Sequence, residues 1–521
     1  MPRENSQFDA VIVGSGFGGS INALRLAQAG KSVLVLERGR RYQPGEFPRD
    51  VTDVDRLFWR YPDKPSSRGL YDIRFFSGIA AVVAAGVGGG SLIYANIHIR
   101  PDPVVFDDPR WPRSIDRATL DPYYDRVQQM LGVSPVPRDV PLVKRDVFRE
   151  AARNTGHEVF DPDEAVSWSD PRVTGRGPCR FVAECEFGCQ YGAKNTMDLT
   201  YLREAQQLGA VVEPHRHVTR VEPLANGYRV HYRDLDRAQD LHADGRRVIL
   251  SAGTLGTNEI LFRSREAGLL PGISKMLGHG YSGNGDFLGS IQNSRVDLQP
   301  WTGTDVTSVI RYFESPPQFT MAAPTFSKPV MEVLASLGQP DAARLRWLSP
   351  LLWPLLKYIV PWAFRKGLLS KPARKPGKNA GDPARMTNLF AIGRDNANGL
   401  FSYRADRLDL HWDYERENSE LIQKMSAAMQ EVSRQYGGTF APLSTWELFR
   451  RIITVHSLGG CRLSDSPETG VVSPFGEVHA YPGLFVADGS VVPSSIGFHP
   501  VMTISALSER IADSVVQSFS R

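Results

Sequence analysis

Apolar and polar positions open the chain in a strand, helix, strand rhythm. Ala10–Val13 is a short apolar run, followed by a glycine-rich turn and a helical stretch carrying Ala23, Leu24 and Leu26. Gly30 stops that helix, and a second apolar run, Val33–Leu36, closes on Glu37. Runs of this length, bounded by glycine, predict buried parallel strands joined by a helix. The order returns in "RVILSAGTLGTNEILFRS", Arg247–Ser264, which predicts a strand, an Ala-Gly turn and a helix rejoining the first sheet. At the far end, Val501, Ile504, Leu507, Ile511 and Val515 share one face of a helix that opens at Pro500. Proline suits a first helical turn, where a missing N–H costs little. One stretch departs from this rhythm. Residues 344–378 combine Trp347, Trp353, Trp362 and many leucines with a run of Lys and Arg from Arg344 to Lys378. Three prolines between Pro350 and Pro361 exclude a straight spanning helix there. Two readings stand: a helical cover over a substrate pocket, or a lid-like insertion making peripheral contact with an anionic membrane surface. Both favour a large apolar substrate.

The glycines of the first turn carry chemistry. Gly14, Gly16 and Gly19 give G-x-G-x-x-G between a strand and a helix, with Glu37 eighteen residues beyond Gly19. Such glycines turn the chain sharply, let backbone N–H groups meet a pyrophosphate and allow close helix–strand packing. Glu37 accepts from ribose hydroxyls and repels a 2′-phosphate. The motif predicts a dinucleotide site and leaves FAD and NAD both open. A second loop, "GVGGGS" at Gly86–Ser91, lies between apolar "IAAVVAA" and "LIYANI". A glycine-rich loop in apolar surroundings suggests backbone pressed against a flat ligand.

Composition narrows the class. The 521 residues suffice for roughly two to four domains, and 41% hydrophobic with 23% charged residues is ordinary for a globular protein. A net charge of +4 gives no case for nucleic acid. Residues 1–7 lead straight into the first strand with no signal-peptide pattern, and no apolar run is long enough to span a bilayer, so the expectation is a soluble cytoplasmic protein. Four cysteines make no disulfide framework. Cys179, Cys185 and Cys189 fall short of the usual four-ligand metal set, so a packed loop is the preferred reading over a metal site.

Taken together, "GVGGGS", "AGTLGTNEIL", "LGHGYSGNGDF" (Leu277–Phe287), "FGCQYGAKNT" (Phe187–Thr196), "HSLGGC" (His456–Cys461) and the ending "DGSVVPSSIGFHP" resemble the glucose–methanol–choline (GMC) oxidoreductase family, which binds FAD. The resemblance is to its bacterial cholesterol oxidases with noncovalent FAD and their mycobacterial relatives. It implies an α/β fold, α+β overall: a Rossmann-like FAD-binding domain with an interleaved substrate domain on an antiparallel sheet. The first would comprise residues 1–100, 180–290 and 450–521, the second residues 101–179 and 291–449. Carried over, Gly14, Gly16, Gly19 and Glu37 hold the ADP half, and Val218 meets the adenine. Gly89, Gly90, Ser91 and Asn96 lie along the ribityl and ring end, and Asp488 takes the ribityl hydroxyls.

The resemblance also assigns His456 and His499 to the reactive side of the flavin. A neutral imidazole can take an alcohol proton while a second orients the oxygen. Where the sterol oxidases carry Asn, this chain has His499, as sugar oxidisers often do. Glu314, in "VIRYFESPPQF", resembles the carboxylate that moves a steroid double bond; the competing reading is a solvated turn before Pro316. The implied activity is oxidation of a bulky apolar alcohol, a 3-hydroxysteroid first, with dioxygen or an electron carrier as acceptor. The alternatives are another alcohol, such as a long-chain fatty alcohol, a lyase with structural FAD, and a flavin-binding partner protein without turnover.

Overall fold

The structure is a computed structural model that describes residues 7–49, 53–169, 175–336, 362–363, 366 and 381–520. The stretch 344–378 lies almost wholly outside the described residues. The two apolar runs at the start become parallel strands, Phe8–Val13 and Val33–Leu36, with Val11 level with Leu34 and Val13 with Leu36. Every residue of Val33–Leu36 is buried, so the pattern is an unbroken apolar run and not an alternation. Helix Phe17–Gln28 joins them.

These strands belong to a seven-stranded sheet. Val211–Glu213, Val33–Leu36, Phe8–Val13 and the end of Gln239–Leu250 run parallel, with Leu484–Val486 paired beyond. Gly227–Asp234 and Arg216–Leu224 extend it as an antiparallel ribbon. Helices Phe17–Gln28 and Val501–Gln517 pack together, and Arg25 ties them by bonding Glu509 through Nε and Nη2, each at 2.7 Å. Glu509 is fully buried and also accepts from the Tyr201 hydroxyl at 2.7 Å, so its charge is satisfied on both oxygens.

A second sheet is antiparallel and six-stranded: Thr439–Pro442, Phe287–Gln292, Thr387–Gly393, Phe319–Ala322, Val309–Tyr312, Glu158–Phe160. The change of sheet therefore falls before Phe287, a few residues earlier than the boundary at 290. Between the two sheets sits a small third one that positions the site. Its strands Ile79–Ala84 and Ile452–Thr454 are parallel, with Ile79 level with Ile452. Both chains leave at the same end, one into the Gly86–Ser91 loop and the other into His456. Among the described residues no helix is long and apolar enough to cross a membrane.

Candidate active site

One large cavity is lined by the ends of the first two strands, the glycine loops, the start of helix Val501–Gln517 and Phe390 of the antiparallel sheet. At one end stand Gly14, Gly16, Glu37, Gly89, Gly90 and Val218; further along come Asp488, His456 and His499. The two glycine loops touch: a Cβ on Gly89, whose φ is +56°, would lie 2.5 Å from the Gly16 Cα. Ser15 joins them, its Oγ donating to Glu37 Oε2 at 2.7 Å and accepting from the Gly88 N–H at 3.1 Å. The Ser15 N–H donates to the same Glu37 oxygen and the Gly39 N–H to the other, which fixes the carboxylate at the end of its strand. Gly19 does not line the cavity. A Cβ there would lie 1.9 Å from the Gly14 carbonyl oxygen, so its part is to let the helix close on the strand.

Asp488 is buried among donors: Gly253 N–H at 3.0 Å, Thr257 Oγ1 at 2.5 Å, and the Ser490 N–H and Oγ at 2.9 and 2.6 Å. Burial still pushes its carboxyl above the ordinary aspartate value. Near the nucleotide-like end, burial alone would raise Asp72, but Arg74 and Arg38 outweigh it and hold the carboxylate low. Both guanidinium groups line the cavity as well.

The two imidazoles meet. Their ring centroids are 5.5 Å apart with planes at 80°, and Phe390 stacks on His456 at 5.5 Å while meeting His499 edge-on at 6.4 Å. His456 Nδ1 lies 2.8 Å from Asp286 Oδ1, a carboxylate with no exposure. Burial, and then the neighbouring His456, drive the His499 imidazole well below the ordinary histidine value, so it is neutral. Its Nδ1 is buried without a partner among the described residues. His499 enters just before Pro500, which caps helix Val501–Gln517; Pro500, Val501 and Ile504 all face the cavity, so the positive end of that helix does too. Nearby, His456, whose Nδ1 faces Asp286 and leaves the other ring nitrogen without a partner among the described residues, can exchange a proton with a hydroxyl, and His499 can orient its oxygen.

Three residues expected at the site do not line this cavity. Glu314 is exposed, in the turn after buried Tyr312 and Phe313, and does not line the cavity; Phe313 fills the interior beside Phe498 at 4.6 Å, and the chain then turns outward. Ser91 is buried behind the loop, where its Oγ donates to the Gly88 carbonyl at 2.7 Å and accepts from the Met197 N–H at 2.9 Å. It braces the glycine loop and is not part of the wall. Asn96 is likewise absent from the lining, although Ala95 and Ile97 on either side belong to it. Its Oδ1 and Nδ2 are both buried and have no partner among the described residues.

Four residues escaped the sequence: Ser15, Asp286, Phe390 and Glu186. Asp286 lies in the "SGNGD" stretch, but nothing in its spacing points to a histidine 170 positions away. Glu186 comes from the cysteine-bearing loop, Cys185–Phe187, and reaches the cavity wall. Burial, and then Asp305, push its carboxyl far above the ordinary range. The loop's thiols are free, and burial raises Cys179 to about 12. Among the described residues no group of three His, Cys, Asp or Glu is placed to hold a metal ion.

Comparison with known proteins agrees with this geometry. The GMC oxidoreductase family models match residues 8–269 and 401–508. A cholesterol oxidase of Acinetobacter baumannii is 30% identical over 98% of this chain and 94% of its own length. A long-chain-alcohol oxidase of Arabidopsis thaliana is 24% identical over 98% of this chain and 67% of its own. Among solved structures, pyridoxine 4-oxidase from Mesorbium loti superposes with a TM-score of 0.62 at 17% identity, covering 97% of this chain and 98% of that one. The residues present fit FAD. Gly14, Gly16, Gly89 and Gly90 line the cavity as bare backbone, and His499 on the same wall has an Nδ1 that is unpartnered among the described residues, a polar group that costs about 1–3 kcal/mol to leave unmade. A paired-glycine cradle, a fixed Glu37 and two imidazoles on one cavity thus belong to a chain that is a member of the GMC oxidoreductase family, with FAD as its cofactor.

Proposed function

We propose that this protein oxidises the CH–OH group of a bulky apolar alcohol, with a 3-hydroxysteroid as the substrate class. The observation that carries the reading is the His456–His499 pair on one cavity, walled at that point by the Phe390 ring. FAD, when bound, takes up the two electrons and the hydrogen of the carbinol C–H bond. The chain's own residues do the remainder. His456 Nε2 receives the hydroxyl proton, and His499, kept neutral by burial, directs the substrate oxygen. The N-terminal turn of helix Val501–Gln517 favours negative charge at the cavity. Val306 and half-exposed Val455 add apolar wall. The similarity to a cholesterol oxidase along nearly the whole chain supports the steroid reading.

A long-chain alcohol is the second reading, supported by the similarity to the Arabidopsis thaliana long-chain-alcohol oxidase. The test is an anaerobic screen of the holoenzyme with sterols, fatty alcohols and small polyols, following loss of the flavin visible band. Bleaching by sterols with none by polyols is the expected result. Bleaching by fatty alcohols alone moves the substrate to the second reading; no bleaching by any alcohol contradicts oxidation and leaves lyase chemistry. Peroxide release under air then separates an oxidase from a dehydrogenase.

A further inference from the structure

One buried loop, Ser282–Asp286, reaches both imidazole-bearing segments. It turns between strands His279–Tyr281 and Phe287–Gln292, and Gly285 makes the turn at φ +63°, where a Cβ would lie 2.3 Å from the Gly393 carbonyl oxygen. Asp395 fastens it, accepting from Ser282 Oγ at 2.7 Å, the Gly283 N–H at 3.1 Å and the Gly285 N–H at 2.8 Å. Asn284 accepts from the Ile496 and Gly497 N–H groups at 2.8 and 3.1 Å and donates to the Phe498 carbonyl at 2.8 Å. The segment that ends in His499 is thereby set. On the other side, Asp286 Oδ2 accepts from the Val455 N–H at 2.9 Å and lies 2.9 Å from Thr454 Oγ1, while Oδ1 faces His456 Nδ1.

We propose that Asp286 is a positioning residue that holds the resting proton of His456 on Nδ1, so that Nε2 stands as an acceptor. An ionised carboxylate only accepts hydrogen bonds, so a neutral imidazole facing it must donate through Nδ1. The other ring nitrogen is then left with its lone pair. When Nε2 takes a proton, the new positive charge lies at hydrogen-bond distance from a carboxylate that no water reaches. Asn in this place cannot do the same. To keep the Val455 N–H bonded, its carbonyl oxygen must turn that way, presenting NH2 to Nδ1 and favouring the Nε2–H tautomer, which accepts nothing from substrate. The inference rests on the alcohol reading for its purpose, but its test does not.

The test uses holoenzyme labelled with 15N-histidine, with the His456 signals assigned from His456→Asn. Wild-type protein should show His456 as the Nδ1–H tautomer with a strongly downfield Nδ1 proton. D286N should lose that proton signal, keep its yellow spectrum and slow anaerobic flavin reduction by about 10²- to 10⁴-fold, with KM changed less than about 3-fold. A purely structural role would leave the tautomer untouched. D286N that retains Nδ1–H and reduces flavin at the parent rate overturns the proposal. If D286N does not fold, the wild-type spectrum decides: a resting Nε2–H tautomer overturns it, and Nδ1–H supports it.

Discussion

At the level of single residues, two histidines of one kind meet different surroundings. His456 has a carboxylate behind one nitrogen, whereas the His499 Nδ1 has no partner among the described residues and its ring is buried beside the first. One can carry the transferred proton; for the other, burial makes charge costly. Replacing His456 or His499 with Ala should therefore leave the FAD spectrum intact and lower turnover by about a hundredfold or more, as loss of a general base does. Turnover at the parent rate in either variant removes that residue from the chemistry. Both histidines were legible in the sequence, because each stands in a motif: "HSLGGC" for one, His-Pro at a helix mouth for the other. Their partners were not. Asp286 ends the loop that leads into strand Phe287–Gln292 and Phe390 lies on the strand paired with it, level with Leu288, so residues far apart in sequence reach the rings together. Glu314 shows the converse. A local likeness singled it out, but the aromatic side chains before it take the interior and leave it exposed.

At the scale of elements, the site is built where two parallel strands end together. Ile79–Ala84 delivers the glycine loop and Ile452–Thr454 delivers His456, so the loop and the imidazole share one frame. The loop itself has little tolerance. Gly89→Ala would set a side chain at φ +56° with its Cβ 2.5 Å from the Gly16 Cα, a backbone contact that cannot rotate away. Left-handed backbone alone costs such a residue about 1–2 kcal/mol. Gly89→Ala should purify with reduced FAD content and a lower melting temperature, measured by flavin absorbance per protein and by thermal unfolding. Full FAD content at the parent melting temperature would show that the two loops do not need this contact. The strands and helix around Gly14–Gly19 were readable because their periods are local. The pairing of residue 79 with residue 452 was not, since strands of three to six residues carry no signal for so distant a neighbour.

At the scale of the whole molecule, two sheets of different construction both reach one large cavity, and burial lowers several interior histidines below their ordinary value. His98 is buried with its nearest polar neighbours, the Met502 sulfur and the Tyr94 hydroxyl, each at 3.4 Å, and burial takes its imidazole down to about 3. His499 is shifted in the same direction. A histidine depressed on folding contributes its full share of stability above its unfolded value near 6.5. That share is lost as pH falls, because the unfolded chain takes a proton the folded one refuses, at about 1.4 kcal/mol per pH unit for each group. Urea unfolding should thus show His98→Gln gaining stability relative to the parent as pH falls from 6.5 to 4.5. An identical slope in that variant would mean that His98 is not held neutral. The division into a nucleotide-binding sheet and an antiparallel sheet was foreseen from the resemblance; the point of crossing, before Phe287, had no mark in the composition.

The central claim is that the paired imidazoles and FAD act together on an alcohol, and the most direct measurement is anaerobic mixing of the holoenzyme with a 3-hydroxysteroid. The oxidised flavin band of the parent protein should disappear within the mixing experiment and persist in His456→Ala at the same FAD content. A flavin band unmoved in the parent by any sterol or long-chain alcohol, or bleached equally fast in His456→Ala, would contradict that claim.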